Sequence, residues 1–153
     1  MSEGLQYSRC VMRGKISPST ARSTENIKSE ETGQRLIDLA WVAGIIDGEG
    51  HLRYTTSPAI VVESVSKSMV DKCCEIANGS VHEVSRKTST GKTVYRWQIS
   101  GTKAKNLCRE LMPYLSTKKF QANILEAIMN YPAKSDMRKT LKDMLNGQRE
   151  ILN

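Results

Sequence analysis

The ten residues from Trp41 to Gly50, WVAGIIDGEG, constrain the fold more than any other stretch of the sequence. Val42 to Ile46 are small or branched and uncharged, so a helix here has no polar side until two acids alternate with glycine at its end. We expect this helix to be buried all round, against its own domain and against something else. Two carboxylates at its buried end are costly unless they are paired, hydrogen-bonded or bound to a metal ion. The alternative is a buried helix with a glycine C-cap.

The length of 153 residues favours one domain with a sizeable core, plus tails. With 39% hydrophobic and 25% charged residues, the composition is ordinary for a water-soluble globular protein. No apolar run approaches the roughly 20 residues of a bilayer span, so we expect no membrane protein. The N-terminus lacks an apolar secretory signal, which predicts an intracellular setting: an organelle (chloroplast or mitochondrion) or a prokaryotic or phage cytoplasm.

The cysteine pattern argues against a zinc site. No two of the four cysteines have C-x-x-C spacing, and only two histidines are available to complete a tetrahedral set of ligands. We therefore expect reduced, structural thiols at Cys10, Cys73, Cys74 and Cys108.

Positive charge is concentrated in one block of the chain. The net charge is +7, and residues 51–119 hold 12 lysines and arginines against 5 acids, so this block accounts for the whole excess. Neutralisation of phosphates with release of counterions dominates affinity for nucleic acids. The block therefore predicts a surface that binds a polyanion, and the alternative is a solvated basic face.

Residues 1–33 are rich in serine, threonine, glutamate and arginine and poor in large apolar residues, which predicts a polar N-terminal arm. The arm faintly resembles an organellar transit peptide, and it equally resembles a partly flexible arm that contacts DNA. Helical periodicity starts near Gln34, so we assign residues 34–153 to the folded domain.

The remaining pattern predicts the element order α-β-β-α-β-β-α-α-α, an α+β fold in which an antiparallel sheet has helices on one face. Strands are predicted at His51–Thr56, Ala59–Ser66, Val81–Lys87 and Val94–Ser100. Helices are predicted from about Gln34 to Ile46, from Met69 to Ala77, from Thr102 to Met112, from Ser116 or Thr117 to Tyr131, and from Ser135 toward Gly147.

One face of the predicted sheet is polar and basic. Side chains alternate between the two faces of a strand, so every second residue contributes a long hydrogen-bonding side chain to this face. A sheet can use such side chains to read base edges in a major groove. These side chains belong to His51, Arg53, Thr55, Arg86, Lys87, Arg96 and Gln98. The alternative is an antiparallel sheet that faces solvent.

Taken together, WVAGIIDGEG, the two hairpins, YRWQISGTKA and PYLSTKKFQAN resemble, in this order, the LAGLIDADG homing endonucleases with one motif per chain, which act as homodimers. The resemblance covers about residues 34–131. It implies an αββαββα core with a saddle-shaped, four-stranded antiparallel sheet and additional helices from about residue 117. The implied activity is site-specific double-strand cleavage of a long, pseudo-palindromic DNA target by metal-dependent phosphodiester hydrolysis.

The resemblance assigns roles to single residues. Glu49 matches the second acid of the signature, the family's metal-binding catalytic carboxylate, and Gly48 is placed at the same metal. Asp47 matches the first acid, whose role is closer to structural. Lys118 matches the basic residue near the active site, and Lys67 falls where relatives often carry Gln-Lys, so both are candidate catalytic residues.

The implied cofactor is Mg²⁺, a hard ion that prefers oxygen ligands, polarises a phosphate and lowers the pKa of an attacking water. Mn²⁺ is expected to substitute, and Ca²⁺ to bind without supporting cleavage. One carboxylate per chain is too few for two reaction centres, so we expect a C2 homodimer whose signature helices pack about the two-fold axis. The expected interface residues are Val42, Ala43, Gly44, Ile46 and Asp47.

In the expected dimer, two sheets lie along consecutive major-groove segments of double-stranded DNA. The residues expected to contact DNA are His51, Arg53, Thr55, Glu63, Arg86, Lys87, Lys92, Arg96, Gln98 and Lys119. Contacts from lysines to phosphates position the protein and do not specify the sequence. His82 is expected to be a surface residue.

Two other functions fit parts of this pattern. An intron maturase or a non-cleaving nucleic-acid-binding protein on the same scaffold would hold RNA or DNA without cutting it. An intact Glu49 favours the enzyme, because a pure binder has no need of a carboxylate there. A basic structural protein without nuclease ancestry is the third alternative, and the coincidence of several matching blocks argues against it.

Overall fold

The computed structural model describes residues 8–9 and 24–151 of the chain. The elements are β1 (Ser8–Arg9), α1 (Thr24–Glu49), β2 (Gly50–Tyr54), β3 (Pro58–Ser64), α2 (Lys67–Ala77), β4 (Ser80–Lys87), β5 (Thr93–Ser100), α3 (Thr102–Leu111), α4 (Lys119–Ala127) and α5 (Asp136–Ile151), with a 3-10 turn at Ile128–Asn130 after α4. The predicted α+β order is confirmed, and the two-residue β1 precedes it.

The strands form one antiparallel sheet in the order β1-β4-β5-β3-β2. Each hairpin pairs consecutive strands, and β3 pairs with β5 to join the two hairpins. The predicted four-stranded sheet is therefore present, and β1 adds a short fifth strand beside β4.

The first helix is longer than the sequence pattern predicts. It begins at Thr24, ten residues before the expected start near Gln34, and so crosses the boundary placed between residues 33 and 34. Residues 24–33 lack apolar periodicity, so the hydrophobic pattern alone does not reveal this part of the helix. Residues 1–7 and 10–23 lie outside the described part of the chain, so a DNA-contacting arm stays a prediction.

The core lies between the apolar face of the sheet and the helices. Trp97 is its largest fully buried side chain, and its indole Nε1 donates a hydrogen bond of 2.6 Å to the carbonyl oxygen of Asn78. The strand residues that share this face are Leu52, Tyr54, Ile60, Val62, Val81 and Ile99, and they pack in one cluster with apolar residues of all five helices. The predicted alternation is thereby confirmed in β2 and β5, whereas the first five residues of β3 are buried on both faces.

Two glycines allow close approaches that a side chain would block. A Cβ at Gly50 would lie 2.7 Å from the Cα of Ile46, so the chain can pass from α1 into β2 without a linker only because Gly50 has no side chain. Gly79 has φ +108°, and a Cβ there would lie 2.5 Å from the carbonyl oxygen of Gln98. Gly50 thus lets β2 begin against the last turn of α1, and Gly79 lets the chain pass close to β5.

The cysteines only partly match the prediction of reduced thiols. Cys73 and Cys108 are free and buried, and burial raises the pKa of each thiol to about 12, which keeps it protonated and unreactive. Cys74 is disulfide-bonded, so the prediction is wrong at that residue.

No helix within the described ranges is both long and apolar enough to cross a bilayer.

Candidate functional site

The carboxylate of Asp47, near the end of α1, binds the free N–H groups ahead of α4. Its Oδ2 accepts a hydrogen bond from the backbone N–H of Ser116 at 2.7 Å. Its Oδ1 accepts from the backbone N–H of Lys118 at 2.9 Å and from the Thr117 hydroxyl at 3.0 Å. N–H groups at the start of a helix have no partner within that helix, so Asp47 caps α4 from another element.

Lys118 reciprocates at the end of α1. Its Nζ donates to the carbonyl oxygen of Ile46 at 2.7 Å and to that of Asp47 at 2.8 Å. Carbonyls of the last helical turn lack intrahelical donors and carry the negative end of the helix dipole, so an ammonium there is favourable. We call this junction, residues 46–49 with residues 116–118, the α1–α4 corner.

The corner changes the pKa of both charged groups. Partial burial would raise the pKa of Asp47, but hydrogen bonds from Ser116, Lys118 and Thr117 outweigh it and hold that pKa below its ordinary value. Burial lowers the pKa of Lys118, against the opposing charges of Asp47 and Glu49. Asp47 is therefore firmly ionised, in keeping with the structural role expected of it.

Glu49 differs from Asp47, although only one residue separates them. Its side chain is exposed and makes no hydrogen bond or ion pair with any residue that the structure describes. It still lies within electrostatic range of Lys118. An ionised carboxylate is an acceptor only, so both oxygens of Glu49 are available to a cation or a donor from outside the chain.

The donor set at the corner fits a hard divalent ion only in part. Among residues 8–9 and 24–151 no group of three or more histidine, cysteine, aspartate or glutamate residues could hold a metal. One chain offers the Glu49 carboxylate and, beside it, the exposed Gly48 with its backbone carbonyl. Mg²⁺ keeps several positions for water and phosphate, so this set fits the ion if DNA and a second chain complete its shell.

Lys67 is not joined to the corner by any contact of the described residues. It is the first residue of α2, where its Nζ forms a 2.6 Å ion pair with Asp71, and this hydrogen bond raises the pKa of the lysine. Ser66, the N-cap of α2, accepts a hydrogen bond from the backbone N–H of Met69. A catalytic role for Lys67 stays a prediction.

The face of the sheet opposite the core carries five of the ten residues expected to contact DNA. The register gives three rows across the strands: Arg53 with Ala59 and Ser100, His51 with Val61, Gln98 and Ser80, and Glu63 with Arg96 and His82. We call these ten residues the polar face. Ser80, Ser100 and His82 are additions that the pairing of the strands reveals.

Side chains on the polar face are paired with one another. Arg53 donates through Nη2 to Oε1 of Gln98 at 3.1 Å. Arg96 donates to Oε1 of Glu63 through Nε at 2.7 Å and also through Nη2. The Glu63 and Arg96 side chains are only 14% and 28% exposed, so this ion pair is partly shielded from water. Sequence pattern predicts the positions of these residues but not their pairing.

His82 lies next to this ion pair and is half-buried, so the expectation of a plain surface residue is wrong. Burial lowers the pKa of His82, and the neighbouring Arg96 lowers it further, against the effect of Glu63. Alternation along β4 places His82 on the same face as its partner Arg96, and this pattern in the sequence indicates its position.

Several other expected contact residues lie around the polar face. Thr55 is in the turn after β2 and not in the strand. Lys92 is exposed in the β4–β5 turn, and Lys119 is exposed at the start of α4. The side chains of Arg86 and Lys87 lie outside the described part of the molecule.

The expected dimer-interface residues are mostly inside the chain itself. Val42, Ala43 and Ile46 have no exposed surface, because they form the side of α1 that faces the core. They cannot contact a partner, so the prediction is wrong for these three. The helix is not buried all round: its opposite side is exposed.

This exposed side of α1 is apolar and narrow. Ile37 is 64% exposed, and Ala40, Gly44 and Gly48 follow it at helical spacing on the same side. A Cβ added at Gly44 or Gly48 would meet no atom within 4 Å. Packing within one chain therefore does not explain why these two residues are glycine.

The fold is that of known homing endonucleases. A crystal structure of the homing endonuclease I-CvuI in complex with its target (Sro1.3) in the presence of 2 mM Ca matches with a TM-score of 0.61 and 20% identity, over 74% of this chain and 83% of that one. A second, with the I-CreI target (C1221) and 2 mM Mg and described as revealing DNA not cleaved, has a TM-score of 0.61 and 21% identity over 74% and 82%. No family model and no curated protein matches the sequence.

Proposed function

We propose that this chain is a LAGLIDADG homing endonuclease, which makes a double-strand break at one long, pseudo-palindromic DNA site. The unpaired Glu49 carboxylate carries the proposal: it lies near Lys118, where α1 passes directly into the strand that begins the polar face. A carboxylate at the edge of a basic, DNA-binding surface repels phosphate unless a cation lies between them. A pure binding protein has no use for such a group, whereas a metal-dependent nuclease requires it.

Mg²⁺ is the proposed cofactor, with Mn²⁺ as a substitute and Ca²⁺ as an ion that binds without supporting cleavage. When bound, it would polarise the scissile phosphate and lower the pKa of the attacking water. The Glu49 carboxylate and the Gly48 carbonyl would supply oxygen ligands.

Lys118 would act beside this site. An ammonium group has three N–H donors, and two of them already bind the carbonyls of Ile46 and Asp47. The third remains for a phosphate oxygen, where a fixed positive charge stabilises the negative charge that develops in the transition state.

A homodimer would form through the exposed side of α1. Gly44 and Gly48 would let two copies of the helix backbone approach closely, and Ile37 would lose its exposed surface. The two-fold axis would bring the two Glu49 residues together, so that each strand of DNA meets one reaction centre. The interface in this proposal uses the side of α1 opposite Val42 and Ile46.

Double-stranded DNA would lie along the polar faces of the two subunits. His51 is exposed there, and the paired Arg53 and Arg96 supply positive charge. Two exposed lysines, Lys92 in the β4–β5 turn and Lys119 at the start of α4, would contact phosphates and set the position of the duplex.

Cleavage of the uninterrupted host allele tests the activity. Purified protein is incubated with that DNA and Mg²⁺, and we expect a staggered double-strand cut. Glu49→Gln should abolish the cut while binding in Ca²⁺ is retained, because the exposed Glu49 forms no hydrogen bond or ion pair with residues 8–9 or 24–151 that would support the fold. If the unmutated protein binds but does not cut in Mg²⁺ or Mn²⁺, a maturase or a non-cleaving binder replaces this proposal.

The dimer is tested separately at Gly44. Gly44→Gln places a long side chain on the proposed axis, so sedimentation should show a monomer and double-strand cleavage should be lost. The fold of the single chain should not weaken, because the position is open and glycine within a helix costs about 0.5–1 kcal/mol relative to alanine. Lys103→Gln on the exposed side of α3 is the control. A Gly44→Gln protein that stays dimeric would place the interface elsewhere.

A further inference from the structure

The hydrogen bond between Arg53 and Gln98 fixes which part of the Gln98 amide is free. A guanidinium has donors only, so the amide must present its oxygen to Arg53 and turn its NH₂ group away. The orientation of the amide is therefore assigned from its hydrogen bond, because the oxygen and the nitrogen of an amide are otherwise hard to tell apart. Gln98 thus keeps both N–H donors, whereas Arg53 occupies one of the two lone pairs of its carbonyl oxygen and places a positive charge beside that oxygen.

The hydrogen bond between Arg53 and Gln98, which we call the bridge, crosses over a strand whose side chains are short. Arg53 is on β2 and Gln98 is on β5, and β3 lies between them in the sheet. The β3 residues below the bridge have short side chains, Ala59 and Val61, which are only 6% and 3% exposed although they belong to the polar face. The arginine and glutamine therefore cover an apolar floor, which favours the paired arrangement over two extended side chains.

Free glutamine and paired glutamine suit different bases. A free amide reads adenine with two hydrogen bonds, because the adenine edge in the major groove offers one donor (N6) and one acceptor (N7). Guanine offers two acceptors (N7 and O6), and thymine offers O4. A glutamine whose oxygen is bound to a guanidinium favours bases that offer acceptors, because the N6 donor of adenine would have to approach the same oxygen beside a positive charge.

We propose that Arg53 is a positioning residue that sets the base preference of Gln98, so that this position selects guanine or thymine and disfavours adenine. The proposal rests on the proposed function, since it requires that the polar face contacts DNA. Two copies of the pair in a dimer would impose the same preference once in each half of the target.

The second pair on the polar face does not have this effect. Arg96 is a donor with or without Glu63, so the pairing fixes the direction of its guanidinium but not the kind of base edge that it can bind. At Gln98, in contrast, the partner binds one of two kinds of hydrogen-bonding group and leaves the other kind free. The prediction is therefore specific to Arg53 and Gln98.

Selection of binding sites from a random double-stranded DNA library tests the proposal. The full-length protein is incubated with the library in Ca²⁺, bound DNA is sequenced, and base preferences at each position are compared for the wild type, Arg53→Met and Gln98→Glu. In the Gln98→Glu protein one position per half-site should turn toward cytosine, whose N4 donates to a carboxylate. At that same position Arg53→Met should raise the preference for adenine about tenfold.

Two further variants separate positioning from direct contact. Arg53→Lys keeps a donor and a charge next to Gln98, so it should retain the wild-type preference at that position. Lys103→Met removes a charge on α3, away from the sheet, and should change no position. If Arg53→Met does not fold, Arg53→Thr removes the same donors with a side chain that suits a strand.

Two results overturn the inference, and they are distinguishable. If Arg53→Met and Gln98→Glu change different positions, or if Arg53→Met leaves the Gln98 position as it was, Arg53 does not act through Gln98 while the proposed DNA-binding function stands. If the wild-type protein enriches no sequence at all, both this inference and the proposed function fail.

Discussion

The α1–α4 corner and the polar face both depend on charged side chains, but their hydrogen bonds end on different partners. At the corner, Asp47 and Lys118 bind mainly backbone groups of the opposite helix. On the polar face, Arg53 and Arg96 bind side chains, those of Gln98 and Glu63. Backbone partners cannot change identity through mutation, whereas side-chain partners can.

This difference separates chemistry from recognition. A substitution elsewhere cannot remove the carbonyl of Ile46 or the N–H of Ser116, so the corner keeps its geometry as the sequence changes around it. A pair of side chains on the polar face can be exchanged for another pair without moving a helix. In the proposed endonuclease, the same scaffold can therefore acquire a new DNA target while its reaction centre is unchanged.

The largest effect that would sharpen this contrast is expected at Lys118. Lys118→Met removes the charge next to Glu49, and cleavage of a bound target should fall by about a hundredfold or more. The loss of charged hydrogen bonds to two carbonyls should also lower the free energy of unfolding by about 1.5–3 kcal/mol. Single-turnover cleavage and urea denaturation measure the two effects. Unchanged cleavage would remove Lys118 from the mechanism.

Asp47→Asn should have the next largest effect, mainly on stability. An amide has one oxygen and cannot accept from all three donors at the corner, so the free energy of unfolding at pH 7 should fall by about 2 kcal/mol. Because the folded-state pKa of Asp47 is lowered, the stabilisation is complete above the unfolded pKa of about 3.9 and is lost as the pH falls through the folded value. The wild type and variant should thus converge in acid. A difference that persists in acid would contradict this account.

A smaller effect is expected on the polar face. A double-mutant cycle with Glu63→Gln and Arg96→Gln should give a coupling of about 0.5–1 kcal/mol in the free energy of unfolding, because the pair is only partly shielded. The same variants should alter base preference while the cleavage rate of bound DNA is retained. A coupling as large as the losses at the corner would break the contrast between the two regions.

The smallest effect is expected at Lys67. Its ion pair with Asp71 is exposed and screened by water, so it adds little stability, and no described contact joins it to the corner. Lys67→Gln should therefore change single-turnover cleavage by less than about threefold. A hundredfold loss would place Lys67 in the reaction, as the family resemblance implied.

The fold was largely predictable because its signals are local. Alternation in β2 and β5 separates Leu52 and Trp97 from Arg53 and Gln98, and turn residues mark both hairpins. The start of α1 was missed because residues 24–33 are polar and have no apolar period, although they are helical. A short run of apolar residues also does not indicate which side faces the core, which is why Val42 and Ile46 were assigned to an interface.

The sequence predicts which residues belong to the candidate site, but it does not predict the hydrogen bonds that join them. The family pattern marks Glu49 and Lys118, but the bonds that hold the corner join residues about 70 positions apart, such as Asp47 and Ser116. Neither periodicity nor composition reports on such pairs. The reciprocal pairing on the polar face was missed for the same reason, since Arg53 and Gln98 are 45 positions apart.

Helix α1 ends at Glu49 and β2 begins at the next residue, Gly50, so no loop separates the two elements. With no spare residue between helix and strand, the distance from Glu49, the proposed metal ligand, to the side chains of β2 is fixed by the backbone. One inserted residue would shift the strand by one position and turn its polar side chains toward the core. In the proposed endonuclease, new targets can therefore arise by substitution on the strands. An insertion or deletion at this junction would change both the distance from Glu49 to the strand residues and the set of side chains that face the DNA.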